Sequence, residues 1–97
     1  MEENIRHLVG NRLRLLRKQL GLSQEKIAFQ SDLDRTYIAS IENGKRNVSI
    51  VNIEKIAVSL GCSVYDFFDS KEFKSKSIYS KNKPAAKVAE KTKKKYK

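Results

Sequence analysis

Apolar residues recur at intervals of three and four over the first two thirds of the chain, and polar or glycine-bearing stretches cut that pattern into five pieces. Ile5, Val9, Leu13, Leu16 and Leu20 share one face of a helix from about Asn4 to Leu20, which Gly21 stops in a left-handed turn. Ser23 is placed to N-cap a second, short helix through about Gln30, with Gln24 and Glu25 in its first turn and Ile27 and Ala28 inward. After Ser31-Asp32-Leu33 the chain restarts at Asp34, a good N-cap, and Tyr37, Ile38 and Ile41 form the buried stripe of a third helix that ends at Asn43-Gly44. A fourth helix follows Ser49, with Ile50, Ile53, Ile56, Ala57 and Leu60 inward and Gly61 at its end, and a short fifth spans Ser63 to Phe68. No segment alternates with period two for long enough to form a strand, and no internal repeat is present, so the expected class is all-α.

A chain of 97 residues suits one core and a short appendage. The formal charge is +10, but residues 1–69 carry ten Lys and Arg against nine Asp and Glu. Residues 70–97 carry eleven Lys against Glu72 and Glu90, so nearly all of the excess lies there. That stretch has few apolar residues after Phe73 and cannot bury enough surface to offset its ordering entropy. The expected organisation is a folded domain over 1–69 and a basic tail without fixed structure over 70–97. No window approaches the roughly 20 consecutive apolar residues of a membrane span, and the N-terminus lacks a secretion-signal layout. A soluble, cytoplasmic, nucleoid-associated protein is expected, with no membrane partner. The single Cys62, among apolar neighbours, reads as a small packed residue rather than a reactive or metal-binding thiol.

Two short helices joined by a tight turn suggest a helix-turn-helix, and the internal spacing sharpens that suggestion. Counting Gln24 as the first motif position, small Ala28 is fifth, Asp32 ninth, and apolar Ile38 and Ile41 fifteenth and eighteenth. Ala28 must be small where the third helix crosses close, while Ile38 and Ile41 anchor that helix so that its opposite face projects. The ninth position demands left-handed backbone; it is usually Gly, and Asp tolerates that geometry better than most residues.

The stretches Leu33-Asp34-Arg35-Thr36-Tyr37-Ile38, Ile41-Glu42-Asn43-Gly44-Lys45-Arg46-Asn47-Val48-Ser49 and Asn52-Ile53-Glu54-Lys55-Ile56-Ala57 resemble the lambda-repressor-like (Cro and phage-repressor, XRE-like) DNA-binding domains. Within them the chain is most similar to controller proteins of restriction-modification systems, over about two thirds of its length. The resemblance implies a five-helix domain, a two-fold homodimer and short palindromic operators. It also implies a regulator that activates its own gene and the endonuclease gene at low occupancy and represses at higher occupancy. Arg17 and Glu42 are implied as a structural ion pair tying the first helix to the end of the third. The lysine-rich tail departs from the pattern, since such controllers commonly end soon after the fifth helix.

Geometry assigns roles to the polar residues around the third helix. Arg35, Thr36, Ala39 and Ser40 share the face opposite Ile38 and Ile41 and are the candidates for base edges. Arg35 can fork onto a guanine, and Thr36 offers a hydroxyl and a methyl suited to thymine. Alternatively, Arg35 is a solvated charge or a partner of Glu25. Gln24, Tyr37, Lys45, Arg46, Asn47 and Ser49 form the candidate phosphate-binding group, in which Tyr37 also reads as a structural aromatic and Arg46 also reads as a groove contact. Val64, Tyr65, Phe67 and Phe68 give the small fifth helix more apolar residues than one side of it can bury, and with Val51 they are expected to form a dimer interface.

Other function classes fit less well. His7 is the only histidine, no Gly-rich phosphate loop exists and the carboxylates are scattered, so neither an enzyme nor a metal site, cofactor or small-molecule ligand is expected. A phage-type or host repressor, or a DNA-binding antitoxin, would share the fold; an antitoxin would need hydrophobic anchors that the lysine-rich tail lacks. The tail reads either as a source of non-specific phosphate affinity or as a solubilising extension.

Overall fold

The computed structural model describes residues 4–74. Five α-helices follow one another: α1 (Ile5–Gln19), α2 (Gln24–Ser31), α3 (Arg35–Glu42), α4 (Ile50–Ser59) and α5 (Val64–Phe68), with a 3₁₀ turn at Lys71–Lys74. No strand occurs among the described residues, and no helix there is long and apolar enough to cross a membrane. Side-chain caps start most helices. Asn4 Oδ1 accepts from the Arg6 and His7 amides, and Ser23 and Ser49 accept from the Lys26 and Asn52 amides. Ser63 and Asp66 form a reciprocal capping box on α5. Asp34 occupies the cap position of α3, but its side chain makes no capping bond.

Leu13, Ile27, Ile38, Ile41, Ile56 and Phe67 are fully buried, and Leu8, Val9, Ala28, Ile53, Ala57 and Leu60 complete the core. Each large side chain buried in this way contributes on the order of 1.5–3 kcal/mol. α3 lies against both α1 and α2, while α4 packs on α2 and α5. The backbone at Asp32 is left-handed, with φ 59° and ψ 41°, so the turn between α2 and α3 has the geometry expected at the ninth motif position. Gly10 marks the closest approach of α1 to α3: a Cβ there would run into the Ile41 carbonyl and lie 3.0 Å from the Glu42 oxygen. Gly44 leaves α3 at φ +74°, and the His7 imidazole fills the space that a side chain would need.

Several expectations are corrected. Ile5, Leu20 and Ile50 carry the helical period but are exposed, Ile50 at 76%; each sits at the very end of its helix, Ile5 and Ile50 as first residues and Leu20 as C-cap. Leu8 takes an inward place instead. Phe67 is not free for a partner subunit: at 1% exposure it is a central core residue. Packing also overruns the boundary expected at Asp69. Phe73 lies against the core and meets Phe68 edge to face at 5.0 Å, and Phe68 meets Phe67 in the same way. The tail expected to lack fixed structure lies, beyond Lys74, outside the described residues.

Arg12 holds this last segment to α1. Its guanidinium donates to the carbonyls of Phe67, Asp66 and Asp69 at 2.6, 2.8 and 3.2 Å, capping the C-terminal end of α5. Cys62 is half-buried, and burial together with nearby Asp66 raises its thiol above the ordinary value against the opposing effect of Arg12. It therefore stays protonated at neutral pH and has little nucleophilic character.

Candidate nucleic-acid interface

α3 presents three kinds of surface. With about 100° between successive residues, Ile38, Ile41 and Glu42 fall together on the buried side. Thr36 and Ser40 lie opposite them, Arg35 and Ala39 on one flank, and Tyr37 on the other. Arg35 and Thr36 are exposed. Among the described residues neither side chain makes a hydrogen bond or ion pair, and Glu25 does not engage Arg35. Ala39 and Ser40 are half-buried. Ser40 is less free than expected, because its hydroxyl donates to the Tyr37 carbonyl at 2.8 Å and accepts from Arg46 Nε at 2.9 Å.

That second bond brings the loop after α3 back onto the helix. Arg46 also lies 5.3 Å from the centre of the Tyr37 ring, in cation–π range. Tyr37 is half-buried rather than fully inward, and its hydroxyl accepts from Asn52 Nδ2 at 3.1 Å. Lys45, Arg46, Asn47 and Ser49 are all exposed in the loop after α3; of them Arg46 touches the Tyr37 ring, and Ser49 is linked to Tyr37 through Asn52. Gln24 is different. Its amide donates to Glu42 Oε1 at 3.0 Å, so at least one of its donors is turned inward.

Glu42 is the hub of the buried end. Its side chain is completely inaccessible, and it accepts from Arg17 Nε at 2.7 Å and Arg17 Nη2 at 2.9 Å as well as from Gln24. Arg14 adds a longer contact at 3.4 Å, and Arg17 also donates to the Leu22 carbonyl at 2.9 Å. Burial pushes the Glu42 carboxyl up, but hydrogen bonds from Arg17 and Gln24, the Arg17 charge and the Arg14 bond outweigh it and hold the group below its ordinary value. The bond to Glu42 raises Arg17 in turn, against burial. Every polar side-chain atom buried among the described residues has a partner.

Of the expected interface residues on α4 and α5, Val51 and Tyr65 are exposed, Tyr65 at 76%, while Val64 and Phe68 are half-buried against the core. Exposed Ile50 joins Val51 at the start of α4, a residue that its helical period had assigned to the interior. Asn52, Arg12 and Arg14 were also not singled out by the sequence. The only signal for Asn52 is a polar residue in the first turn of a helix that follows a polar loop.

A short helix that is open at its start, held at its far end and joined to its neighbour by a left-handed turn defines a helix-turn-helix protein. A helix-turn-helix family model matches residues 13–67, and the chain belongs to that family. It is similar to the control protein C.MunI of a Mycoplasma species, with 58% identity over 64 residues that cover 65% of this chain and 86% of that one. The crystal structure of the restriction-modification controller protein C.AhdI from Aeromonas hydrophila superposes with a TM-score of 0.63 at 49% identity, covering 65% of this chain and 96% of that one. The controller protein C.Esp1396I, solved as a tetramer in complex with its natural 35 base-pair operator, gives 0.66 at 37% identity over 70% of this chain and 90% of its own.

Proposed function

We propose that the protein is a transcriptional regulator that binds a palindromic double-stranded DNA operator as a homodimer and controls restriction-modification genes. The observation that carries this reading is the state of Arg35 and Thr36: both project from a firmly anchored helix with no partner of their own. An α-helix fits the major groove, and a guanidinium at its start has the fork that matches the O6 and N7 of guanine. Similarity to control proteins, one of them solved on its operator, supports both the DNA and the regulatory parts of the reading.

In this arrangement Arg35, Thr36, Ala39 and, through its remaining lone pair, Ser40 face base edges. Tyr37, Lys45, Arg46, Asn47 and Ser49 grip the flanking backbone, and Gln24 reaches a phosphate only with whatever its bond to Glu42 leaves free. Exposed Ile50, Val51 and Tyr65, with the rims of Val64 and Phe68, form the surface for a second copy. Two-fold pairing there sets the reading helices about 34 Å apart, one turn of DNA. The protein acts by occupancy in the cytoplasm and not by catalysis. The lysines beyond Lys74 add sequence-independent attraction to phosphate. Because Phe73 packs on Phe68, the cut that removes them cleanly falls after Lys74, not after Asp69.

Selection from a random-sequence duplex pool, followed by footprinting at fixed salt, tests the reading. A two-fold symmetric site protected by a dimer is the expected result. Arg35→Ala should weaken that site by about 1–3 kcal/mol and random DNA far less. Recovery of no preferred sequence would sink the proposal, and equal losses on both DNAs would move Arg35 to the backbone-binding group.

A further inference from the structure

Asn52 is held in the first turn of α4, where its backbone amide donates to Ser49 Oγ at 3.1 Å. Its side-chain amide reaches across to α3 and donates to the Tyr37 hydroxyl at 3.1 Å. A phenolic hydroxyl has one proton and can also accept. Once it accepts from an amide N–H that can only donate, its own proton must find an acceptor elsewhere. The rest of Tyr37 has little freedom. Arg46 covers the ring at 5.3 Å, and the Tyr37 carbonyl accepts from the Ser40 hydroxyl that Arg46 in turn engages.

We propose that Asn52 is a positioning residue for DNA-backbone recognition: by donating to Tyr37 Oη it turns that hydroxyl into an outward-facing donor for one phosphate oxygen of the bound duplex. The inference rests on the DNA-binding reading above. A non-bridging phosphate oxygen accepts hydrogen bonds and donates none, which is what a hydroxyl already supplied with a donor requires. Tyr37 stands on the flank of α3 that faces the Lys45–Ser49 loop, beside the Arg46 cation, so the oxygen it meets is one that Arg46 also attracts. A bond serving only the fold would work equally well in either direction. Its direction matters only to a partner outside the protein.

The test is a double-mutant cycle with Tyr37→Phe, Asn52→Ala and the pair, measured at fixed salt on the duplex recovered by random-sequence selection. Tyr37→Phe removes the hydroxyl and leaves the ring under Arg46. Each single change should weaken binding about three- to tenfold, the size of one hydrogen bond, and the double mutant should bind no more weakly than Tyr37→Phe. The salt slope should stay at the wild-type value in all three, since a neutral hydroxyl displaces no counterion, whereas Arg46→Ala should lower it by about 0.9. Asn52→Leu repeats the cycle if the alanine variant does not fold.

Additive losses, or wild-type binding by the Asn52 variants, would overturn the proposal. So would a loss from Asn52→Ala that persists in the Tyr37→Phe background, which marks a purely structural role. If the wild-type protein selects no duplex, the DNA-binding reading fails first and carries this inference with it.

Discussion

The two ends of α3 are built to opposite specifications. At its start, Arg35 and Thr36 stand in the open, and the capping position holds an aspartate whose side chain makes no bond to the helix. At its end, Glu42 is buried and receives donors from Arg17, Gln24 and Arg14, the Ile41 carbonyl presses on Gly10, and Gly44 lies under the His7 ring. An isolated helix of this length would be unstable in water. The start of the helix can be left unpartnered because the far end is fixed by groups from α1 and α2, and the difference separates the residues that hold the helix from those proposed to read DNA.

Removing the anchor is expected to have the largest effect. Arg17→Ala leaves a buried carboxylate with its main partner gone, and should destabilise the fold by about 3–5 kcal/mol in urea unfolding. Arg14 is too distant and too exposed to replace it. Glu42→Gln should cost clearly less, because the amide still accepts a bond and Arg17 keeps the Leu22 carbonyl. An unchanged unfolding midpoint for Arg17→Ala would mean that the end of α3 is held by something other than this pair.

Next comes the α1–α3 crossing. Gly10→Ala puts a methyl group against the Ile41 and Glu42 carbonyls, backbone that cannot swing aside as a flexible side chain would. The helices must separate, at an expected cost of about 2–3 kcal/mol. The sharper readout is functional: since the crossing orients α3, operator affinity should fall by more than the folded fraction explains. A variant as stable as the wild type would show that the crossing can relax.

These two sites differ in how far the sequence announced them. The helices, the left-handed turn at Asp32 and the outward face of Arg35 and Thr36 were legible, because each depends on spacing within a few residues. The pairing of Arg17 with Glu42 came from resemblance alone. Gly10, Arg12 and Asn52 were not legible at all, since their partners lie far off in the chain, 55 positions away for Arg12 and Phe67. Periodicity misplaced Ile5, Leu20 and Ile50 for a related reason: it marks the face of a helix but not whether the residues at its very ends are covered. Counting apolar residues on α5 gave a surplus, yet only the packing reveals that Phe67 is core and Tyr65 is surface. Phe73, assigned to a lysine-rich stretch by composition, is drawn onto Phe68 by its ring.

Acid should weaken the anchored end. The Glu42 carboxyl sits below its ordinary value of 4.5 in the folded chain, so the unfolded chain binds more protons in the window between the two values. The stability it contributes is complete above the unfolded value and is lost as pH falls through the folded one. Wild-type stability should therefore drop more steeply than that of Glu42→Gln as pH is lowered from about 5 to about 3. Parallel curves would show that Glu42 titrates alike in both states.

The smallest effect on the fold is expected at the free end, and its smallness is informative. Arg35→Ala and Thr36→Ala remove exposed side chains that touch no partner among the described residues, so unfolding free energies should stay within about 0.5 kcal/mol of wild type. The same Arg35 variant is expected to lose most of its preference for the selected operator. A residue that matters to the ligand and not to the fold is what the asymmetry of α3 requires. If Arg35→Ala melted early, Arg35 would have a structural partner, and the division between a holding end and a reading end would be drawn in the wrong place.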